Sequence, residues 1–247
     1  MRISPSLHRL GSDIVASYLV EDGGLVTIID AGLPGFWGDL PAELAAMGRS
    51  VDDVRAVLLT HGDSDHRGFA ERLRRERGVP VHVHERDAAI ARGEAKKAGA
   101  SWGGVKVRPA LGFLAYAARK AGGLGIPTIG QVVTFTDGTT LDVPGAPRVV
   151  ALPGHTPGSV AYHVPSVDAV FVGDALTTRN VLTGEEGPAP APFTSDPTLA
   201  LESLDRIAGL EATLVLPGHG SPWRGGSADA VRRVRAAAEA KAGRTTS

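Results

Sequence analysis

The 247-residue chain contains no cysteine. That excludes disulfide frameworks, thiolate-held zinc, iron–sulfur clusters and thiol nucleophiles, so any catalytic metal must be held by histidine and carboxylate. Aromatic residues are only 5% of the chain, too few for base-stacking platforms or aromatic cages. Neither sign of charge is in excess: 26 Lys and Arg stand against 27 Asp and Glu, a net of −1. No nucleic-acid partner is therefore expected, because tracking a phosphate backbone needs a basic surface. No apolar run approaches the ~20 residues of a membrane span. The N-terminus, MRISPSLHRLGSD, has charges and a proline where a signal peptide needs an apolar core. The expectation is a soluble, cytoplasmic chain that acts on a small molecule.

What is abundant is apolar residue, 43% of the chain, and turn formers, with 32 Gly and 17 Pro. Such a chain can bury a sizeable core built from short elements joined by tight turns. Strand patterns fall at 14–20 (IVASYLV) and 25–30 (LVTIID), joined by EDGG as a hairpin. Others follow at 55–60, 80–85, 132–135, 149–152, 160–164 and 169–174, and in ATLVLPGHG at 212–220. Helical patterns occupy 40–48 and 68–78, the stretch after Asp196 and Pro197, and the basic C-terminus. The Pro-rich stretch 184–197 reads as a loop.

One segment differs from its surroundings. Residues 92–125 carry Arg92, Lys96, Lys97, Lys106, Arg108, Arg119 and Lys120 against Glu94 alone, a net of +6, together with Trp102, Phe113 and Tyr116. The segment reads as an inserted helical pair within a single domain spanning 1–247. There is also an internal echo. LPGH ends at both His155 and His219, and strands ending in Asp30 and Asp174 are each followed by a strand that leads to a histidine. Two related βα halves, with loops meeting at one edge, would produce this pattern.

His61, Asp63 and Asp65 alternate in HGDSDH, so in an extended loop all three project to one side, and His66 follows at a helix start. Two imidazoles and two carboxylates in six residues suit a divalent metal. A polar loop capping a helix through Ser64 or Asp65 is the plainer alternative. His155 in LPGHTPGS and His219 in LPGHG lie in Gly-flanked loops after apolar strands, and Asp174 ends the strand VFVGD. A core does not ask for glycine beside histidine, whereas a loop closing on a metal does. Four polar clusters at strand C-terminal ends jointly indicate one site. Asp30 and Thr60, at neighbouring strand ends, are candidates to orient its histidines, although Thr60 also suits an ordinary strand. His82, His84, His163 and His8 read as structural.

This series resembles the metallo-β-lactamase-fold hydrolases, which carry HxHxDH followed by His, Asp and His. Here it reads His61-x-Asp63-x-Asp65-His66, then His155, Asp174 and His219, and the likeness extends from SYLVEDGGLVTIIDAG to LVLPGHG. The resemblance implies an α/β (α+β) fold, a four-layer αββα sandwich with a two-metal site at one edge of the sheets. It implies that His61, Asp63 and His155 hold one metal, that Asp65, His66 and His219 hold a second, and that Asp174 bridges them. A metal-bridged hydroxide would be the nucleophile, and Asp65 would carry its proton toward the leaving group. Asp63 departs from the pattern, standing where the family's second His usually sits. Membrane nucleases of the competence type and flavodiiron proteins place a carboxylate there. With three carboxylates and a hydroxide against two divalent ions the site is neutral, one unit less positive than with histidine. That weakens Lewis-acid pull and shifts preference from Zn toward Mn or Fe. Zinc remains the first expectation because the other ligands favour it.

The leading expectation is a dinuclear metal-dependent hydrolase of a small ester-like substrate: a lactone, thioester or related acyl compound. An iron-dependent oxidoreductase in the same pocket and a phosphodiesterase acting on short substrates are the alternatives. The insert could supply a substrate-selecting cap through Trp102, Phe113 and Tyr116, with its Lys or Arg meeting a carboxylate or phosphate. It could equally be a homodimer contact, a membrane-surface element or a solvated face. Arg179 and Asn180, close after Asp174, are further candidates for the cleft.

Overall fold

In the central strands, side chains alternate between two faces, and both faces are apolar. Tyr18 and Val20 point to one side of the first sheet and Leu19 to the other, and Ile29 and Ile28, like Leu58 and Val57, divide the same way. In the second sheet Phe171 and Leu216 oppose Val170, Val172 and Val215. A sheet buried on both faces needs a partner sheet on one side and helices on the other. The computed structural model, which describes residues 1–97, 99, 104–121 and 125–245, has this αββα layering.

The first sheet runs in sequence order: β1 (Arg2–Ser4), β2 (Leu7–Gly11), β3 (Ala16–Asp22), β4 (Leu25–Ile29), β5 (Val54–Leu58), β6 (Val81–His84) and β7 (Val133–Phe135). Its first four strands pair antiparallel, and β4 to β7 pair parallel. The second sheet is built from β8 (Arg148–Ala151), β9 (Val160–Val164) and β10 (Ala169–Gly173). A hairpin of β11 (Thr177–Arg179) and β12 (Glu186–Ala189) follows, and β13 (Leu214–Pro217) returns to lie parallel beside β10. Helices α1 (Leu40–Ala46), α2 (Ser64–Arg67), α3 (Ala70–Arg77) and α4 (Ala88–Ala91) belong to the first half. Then come α5 (Val107–Ala121), α6 (Pro197–Ser203), α7 (Asp205–Ala208) and α8 (Gly226–Thr245). Leu40, Leu44 and Leu73 cover the outer face of the first sheet, and Leu204, Ile207, Val231 and Val234 that of the second.

The inner layer positions the strand ends. Tyr18 packs edge-on against Phe171 with ring centroids 5.4 Å apart, and its hydroxyl donates to the Pro217 carbonyl at 2.8 Å. Tyr162 donates across the core to the Leu59 carbonyl at 2.7 Å. Backbone bonds join the sheets at the same edge, from Val160 N–H to Thr60 C=O and from Ala16 N–H to Gly218 C=O, both 2.9 Å. The ends of β4, β5, β10 and β13 therefore meet at one rim.

Two sequence expectations change. The Pro-rich stretch 184–197 is not all loop, because Glu186–Ala189 forms β12. Pro188 is tolerated there since the strand pairs with β11 alone. In the insert, the described part holds one long helix, α5, rather than a helical pair. Tyr116 on α5 packs onto the outer core of the first sheet, Lys120 pairs with Asp39 at 2.7 Å, and Val107, Leu111 and Leu114 face solvent. No helix among the described residues is long and apolar enough to cross a membrane.

Candidate metal centre

The loop after β5 delivers His61 and then Asp63, the latter in extended conformation, and turns into α2, which carries Asp65 and His66. His155 comes from the loop between β8 and β9, Asp174 directly follows β10, and His219 follows β13 by two residues. These seven side chains converge. Three groups of them offer ligand atoms within 4.8 Å of one another: His61, Asp63 and His155; His61, His66 and Asp174; and Asp65, His66 and His219.

The four histidines share an orientation. His66 Nδ1 lies 2.8 Å from Asp30 Oδ2, and His61 Nδ1 lies 3.0 Å from Thr60 Oγ1, whose hydroxyl donates to the same Asp30 oxygen at 2.8 Å. His155 Nδ1 contacts Thr194 Oγ1 at 3.2 Å, and that hydroxyl donates onward to the Ala191 carbonyl at 2.9 Å. His219 Nδ1 bonds the Ile14 carbonyl. With each Nδ1 engaged as donor, every Nε2 lone pair is left for the centre.

Inside, His219 Nε2 lies 3.1 Å from Asp174 and 3.4 Å from Asp65, and His66 Nε2 lies 3.5 Å from Asp174. His155 Nε2 lies 3.2 Å from Asp63 and 3.6 Å from Asp174, and His61 Nε2 lies 3.7 Å from Asp63. Atoms each about 2.0–2.1 Å from a tetrahedral zinc stand about 3.4 Å apart. His61 Nε2, His66 Nε2 and Asp174 Oδ1 are buried with no hydrogen-bond partner, a costly arrangement that a cation would relieve. The residues fit the divalent metals that this donor set suits.

Electrostatics agree. Burial opposes charge on His61, His66, His219, Asp63 and Asp174, yet four carboxylates, Asp30, Asp63, Asp65 and Asp174, lie among the histidines. Asp30 and Asp174 outweigh burial at His66 and hold its pKa up to about 10, and Asp174 holds His219 up to about 9. Burial would raise Asp174 and Asp63. His219 and His66 instead keep Asp174 well below the usual range, and a His155 hydrogen bond with the neighbouring His61 and Lys97 keeps Asp63 low. His61 is driven well below its ordinary value, first by burial and then by His66. The centre demands positive charge.

Glycines permit the close packing. A Cβ on Gly218 would stand 2.4 Å from His66 Cε1, and one on Gly173, at φ +51°, would stand 2.2 Å from Thr60 Oγ1. Asp30 is itself left-handed at φ 57° and accepts from both the N–H and the hydroxyl of Thr60.

The other candidates sit differently. Arg179 pairs with Glu186 at 2.8 Å, and Asn180 Oδ1 accepts from the N–H groups of Leu182 and Thr183, closing its own turn. Tyr116 lies against the core, Phe113 is half-buried on α5, and Trp102 falls outside the described residues.

Asp87 escaped the sequence reading, and Lys97 entered it only as one of the insert's cations. Asp87 is fully buried and ties the two ligand loops of the first group together. It accepts from Gly62 N–H and Thr156 Oγ1 through Oδ2 and from Gly158 N–H through Oδ1, all at 2.7 Å. Lys97, on the insert, brings its ammonium to 2.8 Å from both Asp63 Oδ2 and His155 Nε2.

Known proteins share this arrangement of chain. The sequence is 30% identical over 231 residues to the Bacillus subtilis (strain 168) protein named probable metallo-hydrolase YflN, a match covering 89% of this chain and 85% of that one. Among solved structures it is similar to metallo-beta-lactamase family protein TTHA1429 from Thermus thermophilus, with TM-score 0.68, 25% identity, and coverage of 97% of this chain and 81% of that one. It is also similar to TTHA1623, solved in a di-iron-bound form, with TM-score 0.60, 30% identity, and coverage of 88% and 93%. Family and relatives together point to a metallo-hydrolase. The metallo-beta-lactamase superfamily match extends over residues 10–219, a span that takes in all seven converging side chains, and the chain belongs to that superfamily.

Proposed function

We propose that the protein is a dinuclear metal-dependent hydrolase of a small ester-like substrate, a lactone, thioester or related acyl compound. The observation that carries this reading is the common aim of four histidine Nε2 atoms and three carboxylates at one buried centre, with the outward nitrogen of each histidine engaged. His61, Asp63 and His155 would hold one ion and Asp65, His66 and His219 the other, with Asp174 between them. Bound divalent metals supply an activated water near neutral pH and polarise an acyl oxygen.

The chain's own groups do the rest. Asp65, with about a quarter of its side chain exposed (23%), is open enough to take a proton from the attacking water and pass it to the departing oxygen or sulfur. Asp30 fixes the ring of His66 directly and that of His61 through Thr60, so reorganisation during turnover is small. The hydroxyl of Thr194 orients His155 in the same way.

Zinc is the metal proposed. A second reading, iron in the same pocket serving oxidation, is favoured by the hard ligand Asp63 and by the di-iron form of TTHA1623. Elemental analysis of protein purified without added metal, followed by assays on lactones and thioesters, separates them. About two zinc ions per chain and acyl hydrolysis abolished by chelation is the expected result. Iron kept in preference to zinc, with oxygen consumption and no acyl turnover, would replace the first reading by the second. A protein that takes up no metal refutes both.

A further inference from the structure

We propose that the outward face of α5 docks on an anionic lipid surface, its apolar stripe entering the interface and its arginines meeting the headgroups. The proposal goes beyond the hydrolase reading and does not depend on it.

A helix that only covers a core turns its apolar side inward, and α5 does not. None of its 15 residues is buried. Phe113, Tyr116 and Lys120 are half-buried, with Tyr116 against the outer core of the first sheet. Outward stand Val107, Leu111 and Leu114, 72%, 60% and 60% exposed. Their spacing of i, i+4 and i+7 puts them on one face, with Ala115 and Ala118 exposed beside them. Seven large apolar side chains are exposed among the described residues, and four of these, Val105, Val107, Leu111 and Leu114, fall within this short stretch. Single exposed apolar residues are ordinary, whereas a contiguous stripe marks a contact surface.

Both ends of the helix are pinned. At the first, Lys106 N–H donates to the Leu182 carbonyl at 3.0 Å. At the second, Lys120 pairs with Asp39 at 2.7 Å, and its carbonyl packs so closely on Gly35 that a Cβ there would stand 2.8 Å away. These anchors keep the stripe from turning inward.

Charge selects the partner. From Ala95 to Thr136 there is no acidic residue, against Lys96, Lys97, Lys106, Arg108, Arg119 and Lys120, in a chain whose net charge is −1. Arg108 and Arg119 are exposed at the border of the stripe, with no carboxylate on α5 to neutralise them. A second copy of the chain fits poorly. Antiparallel packing through the stripe brings Arg108 and Arg119 of the two copies together, and parallel packing sets each against its like, both repulsive. A lipid surface has no such conflict, because acyl chains receive the apolar residues while anionic headgroups receive the arginines.

The test is cosedimentation of the full chain with vesicles of phosphatidylcholine alone or of phosphatidylcholine with phosphatidylglycerol. We expect about tenfold or stronger partition onto the anionic vesicles, falling toward the neutral value in about 1 M salt, where the screening length is about 3 Å. The double variant Leu111→Gln/Leu114→Gln, at positions exposed enough to leave the fold intact, should lower that partition about tenfold or more. Arg108→Gln/Arg119→Gln should remove most of the preference for anionic vesicles, whereas Arg75→Gln, on the exposed side of α3, should bind as the wild type does. Equal partition onto both vesicles overturns the proposal, as does anionic binding that neither double variant weakens. An equal loss in Arg75→Gln also overturns it, since diffuse charge would then replace the stripe. So does a dimer in sedimentation velocity that Leu111→Gln/Leu114→Gln dissociates, with no vesicle binding, which would give the face to a second copy.

Discussion

The two groups of candidate ligands, taken as the two halves of the proposed centre, lean on the chain unequally. The second, Asp65, His66 and His219, leans on the sheet rim itself: His66 on Asp30 at the end of β4, and His219 on the backbone carbonyl of Ile14 just before β3. The first, His61, Asp63 and His155, shares that rim through His61, which Thr60 ties to Asp30, but its other two members depend on groups brought from outside it. Asp87 binds its two loops together, Thr194 in the Pro-rich connection holds His155, and Lys97 on the insert reaches Asp63. One group is thus an extension of the core, and the other is assembled, joining one rim-held histidine to two ligands held by clamps. The assembled half is the one that the insert reaches, through Lys97.

The largest effect is expected where the halves join. Asp174 lies 3.1–3.6 Å from the Nε2 atoms of His66, His155 and His219. Asp174→Ala should therefore cost both metals together and lower turnover by about two orders of magnitude or more, as losses around metal ligands typically do. Retention of one tightly bound metal, measured by chelator competition, would show the halves to be independent and would remove Asp174 from its bridging place.

Next in size is a change confined to the assembled half. Asp87→Ala orphans the Gly62 and Gly158 N–H groups, each at a cost of about 1–3 kcal/mol, and leaves the Thr156 hydroxyl only Ser159 as partner. Binding of one metal should weaken about 10- to 100-fold while the other is unaffected. Asp87→Asn, which keeps one acceptor oxygen, should recover part of that loss and guards against a variant that merely fails to fold. Equal weakening of both metals would erase the distinction drawn between the halves.

The same distinction explains what the sequence disclosed. Strand ends write ligands in compact form: HGDSDH, LPGH twice and VFVGD each place polar residues directly after an apolar run, so all seven converging residues were visible, with Asp30 and Thr60 behind them. The sandwich followed from the family resemblance, and the apolar strands agreed with it. Clamps leave no such mark. Asp87 stands just before α4, where a local reading sees an N-cap, yet its side chain makes no cap bond and reaches instead across two loops. Lys97 is one of seven cations on the insert, and spacing alone does not say which of them turns inward. Strand β12 was hidden by Pro188 and the prolines that follow it, because the single partner that makes Pro188 acceptable is a tertiary fact.

A smaller effect tests the steric fit of the core-built half. On Gly218, a Cβ would meet His66 Cε1 at 2.4 Å and Asp174 Oδ1 at 2.7 Å, so Gly218→Ala must displace the ring or the carboxylate. The second metal should then bind about tenfold more weakly, with the first left in place. Weakening of the first metal instead would mean that the strain passes through Asp174 into the assembled half.

The gentlest probe changes no residue. In the metal-free protein the core-built half holds protons, with His66 up to about 10 and His219 up to about 9, whereas burial keeps His61 of the assembled half neutral. Both raised values lie above the ordinary 6.5 of histidine, so at a pH of about 7.5 these two rings are protonated and a metal must displace the protons. Zinc binding to the second half should release up to two protons, measured as the dependence of calorimetric heat on buffer ionisation enthalpy. Its affinity should climb as pH rises from about 7, more gently above about 9, where His219 loses its proton unaided, and level off above about 10, where His66 does. His61 adds no such slope to the first half, so the two metals should part in affinity as pH falls. The same protons stabilise the metal-free fold: that contribution is complete below about pH 6.5 and is lost as pH rises through about 9 to 10. Two metals with identical pH slopes would place the protons elsewhere and leave the halves electrostatically alike.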